Sequence, residues 1–246
     1  MAGKHFLILA IAAILTVAVI SVHVFMLSPG FIRIEYVGGK YECKVGITGV
    51  DSRGFEVGSL FYYKDGVEHK GYFNAYLRSA LDWIKGNTPE NAIFLNWWDY
   101  GHMIVGYAER ESVIKNPSQE ALISVKDTGQ LKEFNSHEMI VDVAKALTTT
   151  NENEALEIMR KYNATYILVT AEDGKGKAYW IFNFAELNFT NYLNQSWQPS
   201  NLTFDPNQYN ALGKRTVIYR ILVGAEIQGL TQVYYDENVR IYKRLS

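Results

Sequence analysis

From Phe6 to Leu27 the chain is apolar except for Thr16, Ser21 and His23. No other feature restricts the fold as severely, because a run of that length is better solvated by lipid than by water. As a helix of 22 residues rising about 1.5 Å each, it extends about 33 Å, the thickness of a hydrocarbon core. A cleaved secretory signal has a shorter apolar region, about 7–15 residues, and a small-x-small cleavage site. This run ends at Met26-Leu27-Ser28-Pro29-Gly30 without one. The expectation is a retained transmembrane signal anchor over 1–28, with a cleaved signal as the alternative. Lys4 precedes the run and Arg33 follows closely, so the positive-inside rule gives a slight bias toward a cytoplasmic N-terminus and an exported remainder. Four N-x-[ST] sequons, at Asn163, Asn188, Asn194 and Asn201, add modest support for export, three of them crowding into Asn188–Thr203.

The remaining stretch, roughly 215 residues, suits one large domain or two small ones. A net charge of −2 with 20% charged residues leaves no basic field for nucleic acid. The single cysteine, Cys43, cannot form an internal disulfide, and no Cys/His cluster has zinc-ligand spacing. It reads as a small buried or partly exposed residue.

Residues 29–71 form a β-rich connecting segment. Its alternating runs Phe31–Val37, Lys40–Ile47 and Ser59–Tyr63 are punctuated by Gly38-Gly39 and Asp65-Gly66. Over 72–246 a mixed α/β domain is expected. Tyr72–Lys85 places Phe73, Leu77, Ala80, Leu81 and Ile84 on one helical face, ahead of the Asn87-Thr88-Pro89 stop. Ala92–Leu95 reads as a buried strand, a helix follows to Tyr107, and Glu111–Ile114 reads as a second short strand. Ser136 is a candidate N-cap for a helix burying Met139, Ile140, Val143, Ala144 and Leu147. Asn151 with Glu154 suggests a capping box for a helix to about Tyr162. Thr165–Thr170 reads as a strand, Ala178–Leu187 as a helix, and the β-rich end as strands over Thr216–Val223, Thr231–Tyr235 and Val239–Tyr242. Strands alternating with helices and a β tail imply a mixed sheet covered by helices.

Trp97-Trp98-Asp99-Tyr100-Gly101 is the most informative stretch. From the residues alone it could be an aromatic strand corner with a capping Asp. It resembles the Trp-Trp-Asp-Tyr-Gly signature of the oligosaccharyltransferase catalytic subunit, of the archaeal type. Leu81–Ala92, with its Asn-Thr-Pro turn, is similar to that family's approach to the signature. Gly106–Arg110, Lys115-Asn116-Pro117, Tyr162–Thr170 and the hairpin through Val233-Tyr234-Tyr235 and Val239–Lys243 resemble later parts, so the likeness covers about 72–246. The resemblance implies a pocket in which Trp97, Trp98 and Asp99 read the Ser or Thr two residues after an acceptor Asn. The chemistry is apt: a carboxylate accepts the hydroxyl proton, indole N–H groups address the same oxygen, and the rings exclude water. A site built to bind a hydroxyl can reject an analogue lacking it by roughly 10⁴-fold, because its own polar groups are left unpaired.

The family carries a second motif, an Asp, a Lys three positions on, then Ile or Met seven further, whose apolar member contacts the Thr methyl. At the matching place stand Glu172-Asp173-Gly174-Lys175-Gly176-Lys177 and Ile181, and no register reproduces the spacing. By resemblance Asp173, Lys177 and Ile181 join the acceptor site; a solvated Gly/Lys turn is the alternative. Catalysis in the family uses a divalent metal (Mg or Mn) and a lipid-linked oligosaccharide, both held by a many-helix membrane domain. This sequence has one span and no D-x-D, so no metal site and no catalytic residue are assigned, and no turnover is expected of the chain alone. The implied function is acceptor-sequon recognition in N-linked glycosylation. The expected partners are an N-x-S/T polypeptide, the membrane and a multispanning transferase subunit. A non-catalytic peptide-binding or envelope protein remains open.

Overall fold

The computed structural model describes residues 32–115, 138–194 and 204–245. The expected anchor over 1–28, the Ser136 cap and the Asn201 sequon lie outside them. Among the described residues no helix is long and apolar enough to cross a membrane. The chain divides into two compact units between Ala75 and Tyr76.

The first unit contains an antiparallel meander of β1 (Arg33–Gly38), β2 (Cys43–Val50), β3 (Glu56–Lys64) and β4 (Val67–Asn74), paired in that order. Asp65 and Gly66, at φ 55° and 77°, make the two-residue turn that returns β4 along β3. Asp-Gly is suited to such a turn because both positions need the left-handed region. Alternation puts Cys43, Val45, Ile47, Leu60, Tyr62 and Phe73 on buried positions. Tyr72 and Phe73, expected in a helix, belong to β4 opposite Ser59 and Gly58. The β-ladder outweighs the helical spacing there, and the helix starts only at Arg78.

In the second unit a five-stranded sheet runs β6-β5-β7-β9-β8, with β5 (Ile93–Leu95), β6 (Glu111–Ser112), β7 (Tyr166–Thr170), β8 (Leu230–Tyr235) and β9 (Val239–Arg244). The first three of these in sheet order are parallel and the last two antiparallel, so the unit is a mixed α/β domain. Helix α1 (Arg78–Asn87) buries Ala80, Leu81 and Ile84 as its spacing predicts. It stops at Thr88, which the following Pro89 holds in an extended conformation. Buried Arg110 fixes this corner by donating to Lys85 O at 2.8 Å, Thr88 O at 2.7 Å and Thr88 Oγ1 at 3.0 Å. The start of β5 is set by that staple.

Helix α2 (Gly101–Gly106) is buried along its whole length. Helix α3 (Glu138–Thr148) buries Ile140, Val143, Ala144 and Leu147, whereas Met139 is 49% exposed, contrary to expectation. Helix α4 (Glu152–Lys161) is capped by Asn151, whose side chain accepts from Asn153 N at 3.1 Å. The expected reciprocal box is relayed: Asn151 N donates to Thr149 Oγ1 at 3.0 Å, and that hydroxyl donates to Glu154 Oε2 at 2.5 Å. Helix α5 (Ala178–Phe184) follows β7.

Thr216–Val223, expected as a strand, is instead helix α6 (Val217–Leu222). Val217, Ile218, Ile221 and Leu222 recur at helical spacing and are all buried. Their shared burial overrides a β-branched composition that favours a strand, since β-propensity is the more context-dependent preference. The C-terminal part is therefore a helix followed by a hairpin.

Asn151→Ala removes the cap acceptor of α4. Unfolding by urea should show a loss of about 1 kcal/mol, since an N-cap contributes about 0.5–2 kcal/mol.

Candidate functional site

Phe94 and Leu95 of β5 pair in parallel with Tyr166 and Ile167 of β7. Parallel neighbours end on the same side of a sheet, and the loops after their carboxyl ends are where open α/β sheets hold ligands. The loop after β5 is Asn96-Trp97 followed by the short 3₁₀ turn Trp98–Tyr100; the loop after β7 is Ala171–Lys177, which leads into α5. One hydrogen-bonded pairing thus brings together two segments more than seventy residues apart.

The two loops meet at the Tyr100 hydroxyl. It lies 2.8 Å from Asp173 Oδ1, to which it donates, and accepts from Lys177 Nζ at 2.8 Å. Thr170 Oγ1 is 2.7 Å away. Asp173 Oδ2 accepts from Thr170 N at 2.9 Å. Lys177 also reaches Glu172 Oε2 at 3.0 Å and Asp99 Oδ1 at 3.6 Å, with its ammonium 4.3 Å from the Tyr100 ring centroid. One ammonium therefore ties the signature turn to the loop after β7.

Exposure separates these residues. Tyr100, Asp173 and Ile181 are buried, while the side chains of Asp99 and Lys177 keep 30% and 21% of their accessibility. Trp97 is 1% exposed and Trp98 partly exposed, so only the second indole of the pair reaches the surface. Their rings lie 4.0 Å apart, and both meet Phe184 edge-on, at 5.7 and 5.0 Å. Lys177, Ile181 and Phe184 are spaced i, i+4 and i+7 from the start of α5, so one stripe of the helix carries all three. The signature turn touches this stripe at both ends: Asp99 on Lys177 and Trp98 on Phe184. The loop itself is not a solvated Gly/Lys turn, because Glu172, Asp173, Gly174 and Lys175 are all buried. Tyr209 donates to Gly174 O at 2.9 Å.

Gly101 closes the signature for a steric reason. A Cβ there would lie 2.1 Å from Ile114 O and 2.5 Å from Lys115 Cα, both backbone atoms that cannot swing aside. Tyr100, given no binding role in the sequence reading, is the hub of the network. The sequence signal for it was slight: a Tyr inside a signature, with no partner visible until β5 and β7 pair. Glu172 was likewise unassigned.

Burial pushes Asp173 up to about 7, against the opposing pull of Lys177 and of its hydrogen bonds. Desolvation works to depress Lys177, but Asp99, Glu172 and Asp173 outweigh it and hold the ammonium above its ordinary value. Burial, reinforced by Asp173, keeps the Tyr100 phenol protonated. When Asp173 is ionised, Tyr100 donates to it and Thr170 donates to Tyr100. Protonating Asp173 reverses both bonds, with Tyr100 then donating to Thr170 Oγ1. The network holds together in either state because each hydroxyl can donate or accept.

Two cavities, of about 700 and 300 Å³, lie elsewhere. The larger is lined by Glu152, Arg220, Gln228 and the start of β8, and its charges are already used. Arg220 pairs with Glu152 and donates to Glu226 O, and Gln228 N donates to Glu152 Oε2 at 2.9 Å. Neither cavity is lined by the signature turn or by the loop after β7; there the partly exposed Trp98, Asp99 and Lys177 form a ledge. Among the described residues no group of three or more His, Cys, Asp or Glu is placed to hold a metal. Asp99 and Glu172 share the Lys177 ammonium, which already supplies the positive charge between them.

No protein-family model matches the chain. It is 29% identical over 136 residues to the dolichyl-diphosphooligosaccharide–protein glycosyltransferase subunit stt3 of Schizosaccharomyces pombe, a match covering 52% of this chain and 14% of that one. With the stt-3 subunit of Caenorhabditis elegans it shares 32% identity over 116 residues, 44% of this chain and 13% of that one. Its homologues are oligosaccharyltransferase subunits. The matches thus span about one-seventh of those relatives' length. The C-terminal globular domain of the Archaeoglobus fulgidus oligosaccharyltransferase is a weaker likeness, 20% identical with a TM-score of 0.47, covering 68% of this chain and 95% of that one.

Tyr100→Phe leaves Asp173, Thr170 and Lys177 each short of a partner beneath the ledge. The expected cost is about 1–3 kcal/mol in urea unfolding, the range for an unsatisfied buried polar group.

The pH dependence has a defined sign. Folded chain keeps the Asp173 proton up to about 7, whereas the unfolded carboxyl releases it near 3.8. Between those values the native state binds more protons, so this group makes stability fall as pH rises. In Asp173→Asn, urea unfolding between about pH 4 and 7 should show that part of the decline removed.

Proposed function

We propose that this chain recognises the acceptor sequon in N-linked protein glycosylation. It binds an Asn-x-Ser/Thr segment against the ledge formed by Trp98, Asp99 and Lys177. The observation that carries this reading is the Asp99 carboxylate. It stands partly exposed beside the Lys177 ammonium at the junction of the loops after β5 and β7. A hydroxyl arriving there can donate to the carboxylate and accept from the ammonium. A methyl group in its place leaves both charges without that partner. Trp98 flanks the position with an apolar ring and excludes water.

Trp97, Asp173 and Ile181 act from beneath. Trp97 supports Trp98, Asp173 holds Lys177 through Tyr100, and Ile181 lies on the α5 stripe between Lys177 and Phe184. The names of the homologous subunits support placing this recognition in glycan transfer to protein. The lipid-linked donor and the divalent metal (Mg or Mn) of that reaction are assigned to a multispanning transferase part or subunit. In this reading residues 1–28 anchor the chain and the two units lie outside the cytoplasm.

Calorimetry with N-x-T and N-x-A peptides tests the claim. Asp99→Ala should lose about 10–100-fold of the preference for N-x-T, the equivalent of one charged hydrogen bond. Discrimination left intact in that variant refutes the assignment.

A further inference from the structure

Four sequons invite the question of which can carry a glycan, and the fold separates those it describes. Asn163 is followed by buried Ala164 and by Thr165, whose backbone N–H donates to Ile93 O at 2.9 Å and whose carbonyl accepts from Arg244 N at 2.9 Å. That sequon runs into the central strand β7, and opening it means opening the sheet. Asn194 has its Nδ2 donating to Asn207 O at 2.7 Å and its backbone N–H donating to Gln208 O at 2.7 Å, so its amide already has a structural task.

Asn188-Phe189-Thr190 differs on each count. Asn188 and Thr190 are both exposed, and the residue between them faces inward, the Phe189 ring meeting Tyr179 at 4.9 Å. Asn188 Oδ1 accepts from Thr190 N at 3.1 Å and from Thr190 Oγ1 at 2.8 Å. The structural work of the side chain therefore rests on its oxygen. Among the described residues its Nδ2 makes no hydrogen bond. Asn188 is exposed, and among the described residues a substituent on Nδ2 would break no hydrogen bond. The segment is a single 3₁₀ turn, Phe189–Asn191, outside the sheet, where local opening costs less than opening a strand.

We propose that Asn188 is an N-glycosylation site of this chain and that Asn163 and Asn194 are not. The Asn188 amide nitrogen bonds to the anomeric carbon of a glycan carried on a lipid phosphate. The bond from that carbon to the phosphate oxygen breaks and the phosphate leaves with its electrons. One Nδ2 proton passes to a base, and nothing is oxidised or reduced. The cell's transferase performs the step, so the assignment is independent of what the Asp99 ledge binds.

The test is glycopeptide mass spectrometry on the full chain, purified from membranes of a host that glycosylates a flexible N-x-T tag appended to its C-terminus. The Asn188 peptide should carry the same glycan mass as the tag, with the Asn163 and Asn194 peptides bare. Asn188→Asp keeps the oxygen that accepts from Thr190 and should remove the glycan with the melting temperature little changed. Thr190→Ala should also remove it, and Thr190→Ser should retain it. A bare Asn188 peptide on a chain whose tag is glycosylated overturns the proposal, as does occupancy at Asn163 or Asn194 matching that at Asn188.

Discussion

The parallel pairing of β5 with β7 is the constraint on which the rest of the second unit depends. Two short strands, joined at Phe94–Tyr166 and Leu95–Ile167, end side by side and deliver Trp98–Tyr100 and Ala171–Lys177 to one place. Both strands sit inside the sheet, β5 between β6 and β7, and β7 between β5 and β9. The ledge therefore stands on backbone that is hydrogen-bonded on both sides. The buried staple of Arg110 on the Thr88 corner fixes the approach to β5 from the other end.

On that base the network is built from the inside outward. The Tyr100 hydroxyl, buried and protonated, joins Asp173, Thr170 and Lys177. An isolated buried carboxylate would be costly, and here that of Asp173 is shielded by two hydrogen bonds, from the Tyr100 hydroxyl and Thr170 N, and by a nearby ammonium. The ammonium in turn lies among three carboxyl groups, one of which, on Asp99, faces solvent. A residue such as Asp99 can serve recognition only if its position is held from below, and the phenol, the aspartate and the lysine do this. The aromatic side is arranged alike: Phe184 and buried Trp97 support partly exposed Trp98.

Much of the fold was legible because it depends on local chemistry. Asp65-Gly66 sets a hairpin turn, Pro89 ends α1, and Asn151 caps α4; each acts within a few residues of itself. The misreadings share one cause. Thr216–Val223 has a strand-like composition, yet its four apolar residues are buried together as a helix. Tyr72 and Phe73 fit a helical face but pair with β3. In both places a contact remote in sequence outweighed the local preference. Met139 shows the same limit on a smaller scale, since its helical phase was right to within one position but its side chain lies beyond the buried edge.

The sequence by itself set the expectation of a membrane anchor, the strand-helix-strand order around the signature, and Trp97, Trp98 and Asp99 as candidate site residues. Composition and local spacing suffice for these because they depend on hydropathy, on turn geometry and on an uncommon run of five residues. Only the tertiary structure decided that Trp98 and Asp99 reach the surface while Trp97, Asp173 and Ile181 support them, and that Tyr100 joins the two loops. It also decided that the sequon at Asn163 runs into β7 and that the Asn194 amide nitrogen is bonded to Asn207 O, whereas among the described residues the Asn188 amide nitrogen makes no hydrogen bond. At the site these contacts join residues more than seventy positions apart, and no local pattern encodes them.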